Sequence, residues 1–300
     1  MNTLDRVTKE RMTFQSRDTT STHTRLVDAF VDDTSLGFTD TGAHTPASLT
    51  DTLSTIAKTW EKLLFYSGGS LNLKKCSWYI MHWTWDKGRP KLTPDSPTDT
   101  TLQLTTQGNE ENRTTIQRSP ISKSNRILGV YLSPDGNFTT QLQILKKKAD
   151  DFAYSLRSPR LTPQDVITFH RTKYGSSMRY VLPALAVDEE ELSSVQTKIL
   201  SAIFNKLGHS SKLSTAIRHG RPTEMGGLAL IDLRTEVGIS QLKYMRDAIY
   251  SDSKAGKVII MSLKYSQIEA GIAEPLLEHP HICLSYLTPT WLLSVCQYLY

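Results

Sequence analysis

Two spacing rules govern where this chain puts its apolar residues, and they change over near residue 137. Upstream, short β-prone runs alternate with polar turn formers. Leu26–Val31 and Leu36–Phe38 flank an acidic, polar stretch and predict a β-hairpin. Leu49, Leu53, Ile56, Trp60, Leu63 and Leu64 recur at helical steps. Ser48 and Asp51 form a capping box ahead of them and Gly68-Gly69 ends the run, so an amphipathic helix is expected. Cys76–Trp85 reads as an aromatic strand, 86–98 as a loop, and Thr101–Leu104 and Thr114–Gln117 as short strands. Arg126–Leu132 reads as another strand, closed by Ser133-Pro-Asp-Gly136. Residues 1–24 are rich in Ser and Thr without periodicity and are expected to be poorly ordered.

Downstream the period becomes helical. Phe138, Leu142, Leu145, Ala149, Phe152 and Leu156 alternate steps of four and three. Thr162-Pro163 starts a second helix, followed by Val166, Phe169 and Tyr174 and broken at Pro183. Asp188–Glu191 puts acids where a helix dipole favours them, ahead of a stripe of Leu192, Val195, Ile199, Ile203 and Leu207. Further helices are expected at 235–250, 256–270 and 289–300. The pattern is therefore α+β, with antiparallel hairpins and a packed amphipathic helix first and an all-helical region second. Four segments follow: 1–24, 25–136, 137–235 and a helical extension at 236–300.

Composition narrows the class. With 300 residues, 38% hydrophobic and 22% charged, the chain is globular and long enough for one large or two ordinary domains. A net charge of +5 suits a polyanionic partner. The bases are unevenly spread: Lys146, Lys147, Lys148, Arg157, Arg160, Arg171, Lys173 and Arg179 crowd one forty-residue span. Three cysteines, Cys76, Cys283 and Cys296, lack metal-ligand spacing and argue for a reducing compartment. No apolar stretch spans a bilayer and no signal core opens the chain, so an intracellular location, nuclear or cytoplasmic, is expected, with no membrane and no secretion. His170, His209 and His219 read as surface residues. Core packing is the favoured reading of Trp78, Tyr79, Trp83 and Trp85, ahead of base stacking.

Asp32 and Asp33 carry the candidate chemistry. Two carboxylates beside a hairpin turn offer hard oxygen ligands to a divalent cation such as magnesium, though a plain surface turn uses the same pair. What surrounds them is ordered: Phe30-Val-Asp-Asp33, the amphipathic helix, Asn72 with Lys75, Leu128-Gly129, the basic helices, and Gly226-Gly227-Leu228 after Arg221-Pro222. In that order, over roughly residues 25–235, the chain resembles the second half of the palm and the thumb of a reverse transcriptase, most closely those of LINE-like (non-LTR) retroelements. The resemblance implies an RNA-directed DNA polymerase working by two-metal nucleotidyl transfer with Mg2+ or Mn2+. Asp32 would be the direct metal ligand and Asp33 its support. Lys75 would neutralise the leaving pyrophosphate, although it also reads as an ordinary solvated lysine. Leu128 and Gly129 would belong to a hairpin that grips the primer, and Gly129 also reads as a strand bulge. Lys146, Lys147, Arg157, Arg171 and Lys173 would line the channel for an RNA template and DNA primer, while the lysine run also reads as a solvent face.

The family's first metal-binding aspartate sits on a strand well before the hairpin. Asp5 and Asp18 lack an apolar strand around them, and Asp28 lies on the hairpin's own strand. The fingers and first half of the palm are therefore expected to be absent, so deoxynucleotides are partners only if fingers are supplied. The alternative is a non-catalytic helical nucleic-acid-binding or interaction protein with a vestigial acidic pair. Purified as these 300 residues, the chain is expected to extend no primer; incorporation of labelled deoxynucleotide on a primed template would overturn that.

Overall fold

Six of the described helices begin where a Thr, Ser or Asp side chain accepts from an amide of the first turn. The computed structural model describes residues 12–15, 22–25, 27–30, 33–39, 45–87, 89–93, 100–105, 113–158, 160–220, 223–278, 287 and 290–299. Among them the protein is α+β, with small antiparallel hairpins and eight α-helices. It divides into two compact units: residues 1–128 with 132–137, and residues 129–131 with 138–300.

In the first unit β1 (Met12–Gln15) pairs with β2 (Thr22–Arg25), where the sequence suggested no element. Four-residue strands of Thr, Phe and His are too short to register as a period. β3 (Val27–Phe30) pairs with β4 (Asp33–Leu36), giving the expected hairpin. α1 (Pro46–Tyr66) starts three residues before its expected box. The Thr45 side chain accepts from the Ser48 amide, and Pro46 takes a position that needs no donor. β5 (Trp83–Asp86) pairs with β6 (Arg89–Leu92), and β7 (Leu102–Thr105) with β8 (Arg113–Ile116). The expected strand over 76–85 is mostly irregular and holds one bridge, Trp78 to Arg118.

Ala57 of α1, Trp78, Leu102, Leu104 and Ile116 form the core of this unit, with Leu36, Leu71, Leu73 and Cys76 against it. The Trp78 indole donates to the Ile116 carbonyl at 3.1 Å, and Arg118 stacks over its ring. Buried Glu61 takes the Thr105 amide and hydroxyl, so its polarity is satisfied while it ties α1 to β7. Trp83 and Trp85 are 52% and 76% exposed, which corrects the expectation that they pack in the core. Trp78 already fills that space, and β5 is exposed at all four of its positions. The segment 125–132 is two strands, β9 (Asn125–Ile127) and β10 (Val130–Leu132), in place of one.

The second unit is helical: α2 (Thr139–Ser155), α3 (Pro163–Phe169), α4 (Gly175–Arg179), α5 (Glu189–Leu207), α6 (Leu233–Tyr250), α7 (Lys254–Ala270) and α8 (Trp291–Tyr298). Thr162 with Asp165, and Asp188 with Glu191, make complete capping boxes. α2 packs along α5, with Leu142, Leu145 and Ala149 buried on one and Leu192, Val195, Ile199 and Ile203 on the other. α6 runs straight through residue 235, so the extension expected from 236 onward shares its first helix with the residues before it.

Between α3 and α4 the helix widens into a π-turn over His170–Tyr174. His170 and Tyr174 stack at 5.1 Å, both fully buried, and among the described residues neither ring nitrogen of His170 nor the Tyr174 hydroxyl has a hydrogen-bond partner. Phe152 of α2 meets Phe169 and Tyr174 edge-on. The surface reading of His170 is thereby corrected; its place beside Phe169 on the inner face decides it. Burial first, then the nearby His219 and Arg171, hold its pKa down at about 4. Burial also pushes the Tyr174 phenol up.

Folded His170 stays neutral down to about 4, whereas the unfolded chain takes up the proton near 6.5. Its contribution is intact above the unfolded value and lost as pH falls from there to about 4, by on the order of 3 kcal/mol. His170→Phe keeps the ring volume and removes two unpaired nitrogens. Urea unfolding at pH 7 and pH 4.5 should find it at least as stable as the parent at neutral pH and increasingly more stable in acid. Parallel pH curves would contradict this.

Candidate nucleic-acid interface

The β3–β4 register ends on the pair Phe30–Asp33, so Asp33 opens β4 at the turn end of the hairpin, and it is exposed. Asp32 lies outside the described residues. Leu36 at the other end of β4 packs on the Trp78 core, and with Phe38 it packs on Ile56 of α1. These two apolar contacts seat the acidic strand on the amphipathic helix. Lys75 stands in a turn that its own amide closes on the Asn72 carbonyl at 2.9 Å. Leu71, Leu73 and Cys76 anchor that turn in the same core as Leu36. Lys75 itself is exposed, so hairpin and lysine share one apolar foundation while both charges face solvent. Burial raises the pKa of the Cys76 thiol.

Leu128 and Gly129 both lie in the left-handed region, with φ of 48° and 86°. Two positive φ values in a row make the mirror-image turn that matches strand twist. Gly129 is thus a turn residue and not a bulge. An added Cβ there would stand 3.3 Å from the Tyr180 ring. Ile127 and Leu128 are each 41% exposed, which gives the hairpin an apolar tip.

In the helical unit Lys146 and Lys147 are exposed on α2, opposite the buried stripe of Leu142, Leu145 and Ala149. Arg157 is exposed and its guanidinium lies 5.3 Å over the Tyr154 ring. Lys173 is exposed on the π-turn. Arg171 behaves differently: it is half-buried and donates to the Leu228 carbonyl at 3.4 Å. It lines a pocket of about 640 Å³ with Arg179, His219, Asp232 and Glu236. Arg179 grips Glu236 through two bonds of 2.8 Å, which holds the guanidinium's proton more firmly still. Burial alone would raise Asp232, but hydrogen bonds from Thr235 and Gln196 and the charge of His219 outweigh it and hold the carboxyl below its ordinary range. His219 turns Nδ1 to the Leu230 carbonyl.

That pocket wall contains Ala229 at φ 43°, just beyond the Gly226-Gly227-Leu228 run. The Leu228 and Leu230 amides bond the Ile217 and Arg218 carbonyls, and across the floor an added Cβ on Gly175 would stand 2.2 Å from Ile231. The glycine therefore permits close approach of α4 to this segment. Sequence reasoning missed the pocket because its pairs lie 57 residues apart, as in Arg179 with Glu236 and Arg171 with Leu228.

Among the described residues no three of His, Cys, Asp and Glu gather as a metal group, and no helix is long and apolar enough to cross a membrane. No family model, curated protein or solved structure matches the chain.

Gly129→Ala should cost about 1–2 kcal/mol of unfolding free energy in urea, from left-handed strain and the Tyr180 contact together. Gly129→Asn should cost clearly less, because Asn tolerates that region. Equal stability of both variants with the parent would rule out the turn geometry.

Proposed function

We propose that the chain is the C-terminal half of a reverse-transcriptase palm with its thumb, of the LINE-like (non-LTR) kind, and that it holds an RNA–DNA hybrid duplex. The observation that carries this is an acidic hairpin seated through Leu36 and Phe38 on the amphipathic α1, followed in chain order by the Leu128–Gly129 hairpin and then by helices with basic outer faces. Asp32 and Asp33 would hold Mg2+ or Mn2+; their hard carboxylate oxygens suit either ion, and Asp33 stands exposed. The ion supplies charge neutralisation at phosphoryl oxygens.

The protein's own residues do the rest. Lys75 offers a flexible ammonium to phosphate oxygens where negative charge accumulates. The apolar Ile127-Leu128 tip gives a primer terminus a surface to rest against, and the tight turn lets backbone approach it. Lys146, Lys147, Arg157 and Lys173 contribute exposed cations to backbone phosphates without reading sequence. Arg171 contributes less to that surface, since it is half-buried and bonded to Leu228. The second reading is non-catalytic nucleic-acid binding with a vestigial acidic pair, which the same exposed bases favour.

Fluorescence anisotropy with a labelled RNA–DNA hybrid over a salt series tests the proposal. Binding should weaken linearly in log–log form as salt rises. K146Q/K147Q should lower the slope by about two and weaken binding several-fold at low salt. No binding at low salt would sink both readings. Mg2+-dependent strengthening of hybrid binding, lost in Asp32→Asn and Asp33→Asn, separates the polymerase-derived site from the vestigial one.

A further inference from the structure

The β5–β6 hairpin presents aromatic surface that stays exposed among the described residues. Its register pairs Trp83 with Leu92, Thr84 with Lys91, Trp85 with Pro90 and Asp86 with Arg89. Alternate residues of a strand share a face, so Trp83 and Trp85 stand side by side with Pro90 and Leu92. Both indoles are exposed, at 52% and 76%, and the approach to the strand adds Tyr79 at 43% and Met81 at 39%. A contiguous exposed apolar patch of this kind marks an interaction site more often than scattered single residues do. The base of the hairpin is fastened by the Thr93 amide and hydroxyl, which both donate to the His82 carbonyl at 2.9 and 2.8 Å, so the rings sit on an ordered stem.

Charge selects the occupant. Residues 83–92 carry three bases, Lys87, Arg89 and Lys91, against one acid, Asp86; Lys87 and Lys91 are exposed. By the register Lys91 belongs with Thr84 to the opposite face, so the cation next to the tryptophans is the exposed Lys87, just after Trp85 and Asp86. An apolar face ended by a cation, on a hairpin of net positive charge, suits a ligand that is flat and apolar on its faces and negatively charged along its length. Side chains two apart on a strand are spaced by about 7 Å, twice the rise between stacked bases, which leaves room for one base between the indoles.

We infer that this hairpin is a stacking platform for the unpaired bases of a single-stranded nucleic acid, with Trp83 and Trp85 taking base faces and Lys87 an adjoining phosphate. A duplex hides its base faces and is the wrong ligand for this surface, so the site is separate from the hybrid-binding surface proposed above. It rests on that reading only for the chemical class of partner.

Anisotropy with a labelled single-stranded RNA 12-mer, the same sequence in DNA, and the matching RNA–DNA hybrid tests it at low salt. Two double variants separate stacking from plain apolar burial: W83L/W85L keeps apolar area, and W83F/W85F keeps aromatic faces. The leucine variant should lose at least about tenfold in affinity for both single strands. The phenylalanine variant should keep most of it, and neither should change hybrid binding. The site is RNA-selective if only the RNA strand responds, and a general single-strand platform if both do. Leucine and phenylalanine variants that bind single strands alike, or as the parent does, would overturn the inference. So would a concentration-dependent dimer in sedimentation that W83L/W85L abolishes, since the face would then join copies of the chain. Wild-type protein that binds single strands but not hybrid would defeat the polymerase-derived reading and leave this one standing.

Discussion

The helical unit depends on α5. Its Leu192, Val195, Ile199 and Ile203 form a continuous buried stripe against α2. From the same helix Gln196 both donates to Asp232 and accepts the Leu233 amide, which fixes the start of α6. A half-buried amide that satisfies a helix cap is more restrictive than an apolar contact, because it dictates position as well as proximity. Asp232, positioned this way, lines the pocket, and α6 carries Glu236 to Arg179. The Asp150–Lys198 pair between α2 and α5 is exposed and contributes little by comparison.

The helices could be read from the sequence because their signals are local. A buried stripe, an Asp or Thr cap and a Pro at the first position all fall within a few residues, as at Thr162-Pro163 and Asp188. The failures are equally physical. Trp83 and Trp85 have the composition of a core strand, and only the occupancy of the core by Trp78 decides that they stay outside. Leu128-Gly129 breaks Arg126–Leu132 into a hairpin through two backbone angles that periodicity does not encode. His170 falls at a π-turn, where one extra residue in the turn rotates the next face; its burial has no counterpart in local composition. Of the acidic site, the hairpin pairing of Asp33 and the exposure of Lys75 were legible, while nothing in their spacing reveals that both rest on one core.

The protein keeps its charges in two regimes. On the exposed faces of α2 and the π-turn, Lys146, Lys147 and Lys173 stand in water, where salt screens them strongly. Around Arg171, Arg179, Asp232 and Glu236 the charges are paired or hydrogen-bonded in a recess, where they fix geometry and are screened less. A residue's place in one regime or the other, and not its charge alone, separates Lys173 from its near neighbour Arg171.

Helix α8 packs back on the middle of the sequence. The Trp291 indole donates to the Pro183 carbonyl across 108 positions, and the fully buried Gln241 spans the Leu185 carbonyl and Ser294. Loop closure over such a distance must precede the contacts that reward it. During synthesis the earlier helices therefore emerge with the Pro183 carbonyl and the apolar flank of Met245 uncovered, until Val295 and its neighbours leave the ribosome. Helix α8 acts as a closing step in time as well as in space, because a nascent chain that has not yet made it lacks Leu292 and Val295 against Met245.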